Sequence, residues 1–216
     1  MNPHPQFPSF FHVDHPLIAH KLTLMREESC TSLSFRILLR EISALIGYEI
    51  SRNLRLTTRR IHTPLCDMDA PVLADEAPCI VPVLRAGLAM AEGLQDLIPA
   101  ASVGHIGVYR DHDTKMPVEY LVRLPQNVGQ DFFVVDPMLA TGNSLIHACD
   151  ILMRHGVAAE KIRVMSLVAA PEGVRTFAAR HPGIRIYCAA LDEKLNENAY
   201  IVPGLGDAGD RMYGTM

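Results

Sequence analysis

Residues 132–144, with the sequence FFVVDPMLATGNS, constrain the fold of this chain more than any other stretch. Four apolar residues predict a buried strand, Asp136 follows at its carboxyl end, and residues 141–144 open a predicted helix. A short loop from a strand to a helix N-terminus gathers free backbone N–H groups, and the helix dipole favours negative charge there. An acid beside such an anion site can accept hydrogen bonds from hydroxyl groups. The stretch therefore predicts a site for a phosphorylated sugar.

Composition narrows the class of protein. The chain has 216 residues, of which 49% are hydrophobic, and a formal net charge of −4, as expected for one globular domain over residues 1–216. Lys and Arg do not cluster, and no apolar run approaches the roughly 18 residues of a membrane span, so we expect neither a nucleic-acid nor a membrane partner. The N-terminus lacks a signal-peptide layout, and the five cysteines are scattered. Both features predict a cytoplasmic protein.

Alternation of strands and helices through residues 79–190 predicts an α/β fold with a mostly parallel sheet flanked by helices. A long helical extension precedes it, capped by Thr31 or Ser32 and running to about Leu54. This helix is too long for a minimal core, so we expect a lid over the sheet edge or a dimer surface.

The remaining segments have less regular patterns. Residues 1–13 hold three prolines without periodicity and predict an irregular N-terminal arm. Residues 55–77 predict short edge strands and turns, and residues 111–125 predict a protruding β-hairpin.

Other phosphate-binding motifs do not fit. The loop over residues 136–144 contains neither Gly-Lys-[Ser/Thr] nor G-x-G-x-x-G, which argues against a kinase or a dinucleotide-binding function for it. A purely structural turn, capped by Thr141 or Ser144, stays open as an alternative.

Residues 134–142 resemble the phosphoribosyl-diphosphate signature of the type I phosphoribosyltransferases, and the string DPMLATGNS resembles that of the uracil phosphoribosyltransferase family. Three distant segments also match, namely residues 15–26, 83–88 and 203–211. The resemblance implies the type I phosphoribosyltransferase fold with a uracil-binding hood over residues 190–216. It also implies transfer of the 5-phosphoribosyl group from 5-phospho-α-D-ribose 1-diphosphate (PRPP) to N1 of uracil, giving UMP and diphosphate.

The resemblance places the donor on the opening stretch. Asp136 is expected on the ribose hydroxyls, and the loop is expected around the 5′-phosphate. The donor-binding residues implied in this stretch are Asp136, Pro137, Met138, Leu139, Ala140, Thr141, Gly142, Asn143 and Ser144. Pro137 stands where most relatives have a second acid, so Mg²⁺ is expected on the diphosphate with no direct protein ligand. Asn143 replaces a glycine of many uracil enzymes, and Asn tolerates a left-handed backbone.

The diphosphate is expected on two arginines. Arg85 matches the diphosphate loop, which the family often holds with a non-proline cis peptide, and Arg110 matches a second diphosphate-binding arginine. Arginine supplies a permanent bidentate charge for this contact. Arg85, Asp136 and Asp207 are the residues expected to act in catalysis, with Asp207 reaching Mg²⁺ through water.

The tail is expected to choose the base. Uracil presents an acceptor, a donor and an acceptor, which a backbone presenting N–H, C=O and N–H would match. By resemblance Ile201 and Gly206-Asp207-Ala208 supply these contacts, with Tyr200 and Met138 as walls of the pocket. Cytosine would leave a buried group unpaired.

The resemblance extends to partners and leaves alternatives. We expect a homodimer or higher homo-oligomer, and GTP, which activates some relatives, is the predicted effector. The hairpin over residues 111–125 is expected to close over the site. An RNA-binding regulator on the same scaffold would need a basic face, which this chain lacks. An enzyme for a purine or orotate is disfavoured by the uracil-type tail.

Overall fold

The structure is a computed structural model that describes residues 1–110 and 117–215, with side chains described outside 108–110 and 117–118. Its helices are α1 (Pro16–Arg26), α2 (Ser32–Ile50), α3 (Leu88–Leu97), α4 (Asn143–Arg154), α5 (Pro171–Arg180) and α6 (Ala208–Tyr213). Its strands are β1 (Phe10–His12), β2 (Leu56–His62), β3 (Asp67–Leu73), β4 (Cys79–Leu84), β5 (Ser102–Val103), β6 (His105–Arg110), β7 (Pro117–Arg123), β8 (Phe132–Val135), β9 (Met138–Leu139), β10 (Ile162–Ala169), β11 (Arg185–Leu191), β12 (Lys194–Leu195) and β13 (Ile201–Val202).

Nine of the described strands form one sheet, in the order β1-β11-β10-β8-β4-β6-β7, with β5 beside β4 and β9 beside β10. All of these pairs are parallel except that of β6 with β7. The predicted α/β fold is therefore confirmed. Because β4 and β8 are parallel neighbours, Arg85 and Asp136 leave the sheet at the same edge, where open α/β sheets bind ligands.

Both faces of the sheet are buried, which explains the uninterrupted apolar strands. In β8, Phe133 and Val135 pack into the core under α1, α2, α3 and α6. Phe132 and Val134 pack into the core under α4 and α5. All four side chains are fully buried. A strand covered on two faces requires apolar residues at every position.

The prediction of an irregular arm over residues 1–13 is wrong for its last residues. Phe10–His12 form β1, which pairs in parallel with β11 at the edge of the main sheet. Phe10 is fully buried, and the N–H of Ile186 donates to the carbonyl of Ser9 at 2.8 Å. Covering the edge of β11 stabilises this segment.

The long N-terminal helix is confirmed, with its cap at Thr31, whose hydroxyl oxygen accepts from the N–H of Ser34 at 3.2 Å. The helix ends at Ile50 and leads into a 3₁₀ turn at Ser51–Asn53, earlier than the predicted Leu54. It packs on α3, β10 and β11. The helix thus covers a face of the sheet, and the predicted lid over the sheet edge is wrong. None of the helices in the described part of the chain has the length and apolar character of a membrane span.

Two antiparallel ribbons extend from this body. Residues 55–77 contain β2 and β3, which pair only with each other in the described structure, so their prediction as edge strands is wrong in placement. β6 and β7 pair as the predicted hairpin requires. The tip of that hairpin, residues 111–116, lies outside the described residues.

Candidate active site

The loop between β9 and α4 forms a cradle of backbone N–H groups. Gly142 is the N-cap of α4 and has φ +87°, a left-handed conformation that glycine adopts without strain. Within the described residues no side chain accepts a hydrogen bond at this cap. The cap is therefore Gly142, and neither Thr141 nor Ser144 caps the turn. The first N–H groups of α4 have no partner inside the helix and lie at its positive end, so they suit an anion.

Close packing on α5 fixes the shape of the cradle. A Cβ atom on Gly142 would lie 3.0 Å from the carbonyl oxygen of Gly173, and one on Gly173 would lie 2.1 Å from that of Ala140. Glycine at both positions lets the loop and the start of α5 approach each other. Asn143 is the first residue of α4, and the left-handed conformation belongs to Gly142. The tolerance of Asn for that conformation is therefore not needed here.

Asp136 lies beside the cradle at the end of β8. The next residue, Pro137, has no N–H to donate, and its carbonyl accepts from two N–H groups of β10 at 3.0 and 3.2 Å. Burial raises the pKa of Asp136 to about 7, against a hydrogen bond from the N–H of Met138, and the charge of Asp207 adds to the rise. Burial and two neighbours, the N–H of Met138 and the carboxylate of Asp207, thus set the pKa of Asp136.

Arg85 lies at the same edge of the sheet, in the turn from β4 to α3. The peptide bond between Leu84 and Arg85 is cis, in the loop for which the resemblance implies one. The exposed guanidinium of Arg85 lies over the ring of Tyr213, 5.7 Å from its centroid. The hydroxyl of Tyr213 donates to the carbonyl of Arg85 at 3.2 Å. Helix α6 therefore contacts the predicted diphosphate loop.

Two cavities collect most of the predicted residues, and they share Met138 and Asp207. The first has a volume of about 320 Å³ and is lined by Met138, Ala140, Thr141, Gly142, Asn143, Ser144, Leu145, Asn198, Ala199, Tyr200 and Asp207. The second has a volume of about 360 Å³ and is lined by Leu84, Arg85, Ala86, Asp136, Met138, Asp207, Ala208 and Gly209. The loop cradle, the two acids, Arg85 and the tail thus meet in one place.

Among the predicted residues whose side chains the structure describes, four line neither cavity. Pro137, Leu139 and Ile201 are buried, and the carbonyl of Leu139 accepts from an N–H group that follows β10, at 2.9 Å. Gly206 is exposed just before Asp207. Arg110 is the last residue of β6, and its side chain lies outside the described part of the structure.

The Gly-rich tail contains a helix, α6, that its sequence pattern does not predict. The carboxylate of Asp207 caps α6 by accepting from the N–H of Asp210 at 2.9 Å. Ala208 and Met212 are buried against the core under α2. The glycines suggest a loop, but the cap and the two buried side chains hold residues 208–213 in a short helix.

The turn between β12 and β13 adds lining residues that were not predicted. Asn198 and Ala199 reach the first cavity from this turn. The side-chain oxygen of Asn196 accepts from the N–H groups of Asn198 and Tyr200 at 3.0 and 2.9 Å. An Asn that bonds the backbone two residues on is a turn signal, and it could have identified this segment.

The acidic groups suit a cation brought by a ligand. Asp136 and Asp207 both line the second cavity. Among the described residues, no three His, Cys, Asp or Glu side chains are grouped as a metal site. Two carboxylates supply the hard oxygen donors that Mg²⁺ accepts alongside phosphate oxygens. The donor set therefore fits Mg²⁺ carried on a diphosphate.

Known proteins resemble this chain in sequence and in fold. The family model for uracil phosphoribosyltransferase matches residues 12–215. A protein described as uracil phosphoribosyltransferase from Rhodospirillum centenum is 63% identical over 215 residues, which cover 100% of both chains. The solved structure of the AQ2163 protein from Aquifex aeolicus has a TM-score of 0.89 and 33% identity, covering 94% of this chain and 97% of that one. An orotate phosphoribosyltransferase from Mycobacterium tuberculosis, solved in complex with PRPP, shares the fold with a TM-score of 0.50 and 16% identity, covering 83% and 91%.

Proposed function

Because the chain belongs to the uracil phosphoribosyltransferase family, we propose that the two adjoining cavities together form its active site. The reaction transfers the 5-phosphoribosyl group of PRPP to N1 of uracil, giving UMP and diphosphate. The observation that carries the assignment is that an N–H cradle, an arginine and two acids from distant segments line cavities with two residues in common.

The cradle of residues 140–144 holds the 5′-phosphate in this proposal. Its support is the N-terminus of α4, where N–H groups and the helix dipole favour an anion. Asp136 lines the adjoining second cavity and accepts hydrogen bonds from the ribose hydroxyls. A partly buried carboxylate makes stronger hydrogen bonds to hydroxyls than an exposed one because water competes less.

Arg85 binds the diphosphate, together with Arg110 as the resemblance implies. The exposed guanidinium at the edge of the sheet supports the role of Arg85. Mg²⁺ on the diphosphate would neutralise charge that develops on the leaving group. Asp207 would orient water around that ion, and its position in the lining of both cavities supports this role.

Uracil lies against the tail, with Tyr200 and Met138 as walls. The backbone of Ile201 and of residues 206–208 supplies the complementary pattern of donors and acceptors. Support comes from Asp207 and Ala208, which line the cavities although Asp207 belongs to a helix cap. A cytosine amino group would meet a donor at the same place, and this mismatch discriminates strongly in a desolvated site.

No protein nucleophile is required by this arrangement. Transfer through an oxocarbenium-like transition state depends on position and charge. The positive charge of Arg85 stabilises the negative charge that develops on the leaving diphosphate. Asp136 fixes the ribose, and the tail holds N1 of uracil facing the anomeric carbon.

Two further properties belong to the proposal. The five cysteines, all within the described residues, are free thiols, which supports a cytoplasmic location. The exposed apolar side chains of Leu56, Leu65 and Met68 on the β2–β3 ribbon support a homodimer or a higher homo-oligomer. Light scattering of the purified protein measures the second directly.

Incubation of the protein with radiolabelled uracil, PRPP and Mg²⁺ tests the assignment by the appearance of UMP. Replacement of Arg85 by Ala should lower kcat/KM by about 10²–10³-fold, as loss of one charge-stabilising group does elsewhere. Asp136→Asn should lose at least about tenfold, which is roughly the value of one or two hydrogen bonds to a charged group.

Arg52→Ala is the matched control. Arg52 pairs with Glu49 at the exposed end of α2 and lies away from both cavities. Its variant should turn over like the wild type. Full activity of Arg85→Ala or Asp136→Asn would contradict the proposed site.

A further inference from the structure

We propose that Arg26, Asp192 and Arg211 are positioning residues for the base. They hold the backbone at Gly204 and Leu205 and thereby set where the next residues, 206–208, present their N–H and C=O groups. The inference rests on the proposed function of residues 206–208 as the uracil-binding segment. It adds a specificity role for three charged side chains that line neither cavity.

The first brace, as we call each set of side chains that holds this backbone, consists of Arg26 and Asp192. It holds the N–H and the C=O of Gly204. Asp192 accepts from the N–H of Gly204 at 2.9 Å, and Arg26 donates to the carbonyl of Gly204 at 2.5 Å. Arg26 and Asp192 also form a two-pronged ion pair, at 2.8 and 2.6 Å. The side chain of Asp192 is only 5% exposed and that of Arg26 is 24% exposed, so water competes little with these bonds.

The second brace joins the end of α1 to Leu205. Arg211 donates to the carbonyls of Leu205 at 3.0 Å, Met25 at 2.8 Å and Glu27 at 2.5 Å. The carbonyls at the end of a helix lack partners inside it, so Arg211 satisfies groups that would otherwise need water. Its guanidinium also lies 4.9 Å from the ring centroid of Phe35. The planar fork of arginine is what allows three carbonyls to be reached at once.

Such braces matter because the segment recognises its ligand by backbone alone. Gly204 and Gly206 both have positive φ, at +63° and +75°, and glycines lose more freedom on ordering than other residues. A hydrogen-bond pattern made by the backbone cannot be adjusted by side-chain rotation. Its fit to uracil depends on where the segment is held, and a shift of about 1 Å at a reacting centre can lower the rate about a hundredfold.

The alternative is that these pairs only stabilise the fold, and the chain offers a matched control for it. Arg163 and Asp131 form another partly buried pair, at 3.0 Å, with both side chains 13% exposed. They lie at the amino-terminal ends of β10 and β8, whereas the cavities lie at the carboxyl ends. Arg163→Lys therefore weakens a similar pair without touching the tail.

The test compares Arg211→Lys and Asp192→Asn with Arg163→Lys in the full-length enzyme. Both brace variants should raise KM for uracil about tenfold or more and leave KM for PRPP within about twofold. They should also lower the preference for uracil over cytosine. Arg163→Lys should lower the melting temperature and leave both KM values and the base preference unchanged.

Two other outcomes would contradict the proposed positioning role. Equal rises in both KM values, or a rise in the uracil KM matched by Arg163→Lys, would overturn the positioning role. Asp192→Asn keeps an oxygen for the N–H of Gly204, so it carries the test if Arg211→Lys does not fold. Failure of the proposed function is distinguished by the separate variants, because Arg85→Ala and Asp136→Asn would then keep their turnover.

Discussion

Asp136 shows how one residue can be held in a state that disfavours folding. Its pKa is about 7 against an ordinary value of 3.8, chiefly because burial penalises the carboxylate and also because Asp207 is nearby. A polar ligand or a cation that pairs with the carboxylate offsets this cost. Among the described residues, the N–H of Met138 is the only hydrogen-bond partner of this carboxylate.

The sign of the pH dependence follows from that shift. Between pH 3.8 and about 7 the folded protein keeps a proton that the unfolded chain has lost, so the free energy of unfolding falls as the pH rises through this window. Asp136→Asn removes the titration. At pH 8 and without ligands, this variant should exceed the wild type in free energy of unfolding, by an amount that about 1.4 kcal/mol per pKa unit limits to about 4 kcal/mol.

Urea denaturation at pH 5 and at pH 8 measures the difference. The stability gain of Asp136→Asn should grow from the lower to the higher pH, while its turnover falls. If the difference in free energy of unfolding between the two proteins were the same at both pH values, the pKa of Asp136 would not be raised in the folded protein.

Single residues also show what the sequence leaves out. Asp136 and residues 140–144 were predictable because they follow a strand and open a helix within one short motif, whereas Arg85 was predicted through the family resemblance. The contacts of Arg26 with Asp192 and of Arg211 with Met25 join residues 166 and 186 positions apart. No local pattern marks such partners, so their role emerges only from the fold.

At the scale of elements, the contact between the N–H cradle of residues 140–144 and α5 decides the shape of the proposed site. Gly173 lies in the first turn of α5 against the carbonyl of Ala140. Ala is the better helix former by about 1 kcal/mol, so propensity alone favours its substitution for Gly173. The added Cβ would lie 2.1 Å from a backbone oxygen, which cannot rotate away.

Gly173→Ala should therefore push the cradle away from α5 and raise KM for PRPP by about tenfold or more. Gly183→Ala is the control, because a Cβ at Gly183 meets no atom within 4 Å. Steady-state kinetics with PRPP as the varied substrate, together with melting temperatures of both variants, measures the effect. An unchanged KM for PRPP in a folded Gly173→Ala enzyme would contradict a cradle fixed by this contact.

The elements differ in how far the sequence specifies them. β4 and β8 were predicted because strands buried on both faces carry continuous apolar runs. β1 was not, since in the described structure its only sheet partner is β11, from residue 185 onwards. Helix α6 was missed because its glycines outweigh the cap at Asp207 and the burial of Met212 in any local reading.

At the scale of the whole molecule, the proposed site is assembled from two parts of one framework. In the proposal β8, β9 and α4 carry the donor side and the tail after β13 carries the base side, and Met138 and Asp207 line both cavities. The sheet fixes the first half, while α1 and α2 support the tail that forms the second. A ligand that spans both halves therefore gains from an arrangement already present in the folded chain.

UMP is such a ligand, since it carries a 5′-phosphate, a ribose and uracil in one molecule. Binding of separate fragments loses translational and rotational freedom twice, whereas UMP loses it once. At a hundredfold excess over Kd a ligand adds about 2.7 kcal/mol to stability, which for a chain of this size corresponds to roughly 5–10 °C in melting temperature. UMP should therefore raise the melting temperature more than uracil and ribose 5-phosphate added together at the same concentrations.

Two variants serve as controls for this measurement. The melting temperature of Arg52→Ala should respond to UMP like that of the wild type, and Asp136→Asn should lose most of the shift. If the two fragments together matched UMP, the donor side and the base side would not form one site.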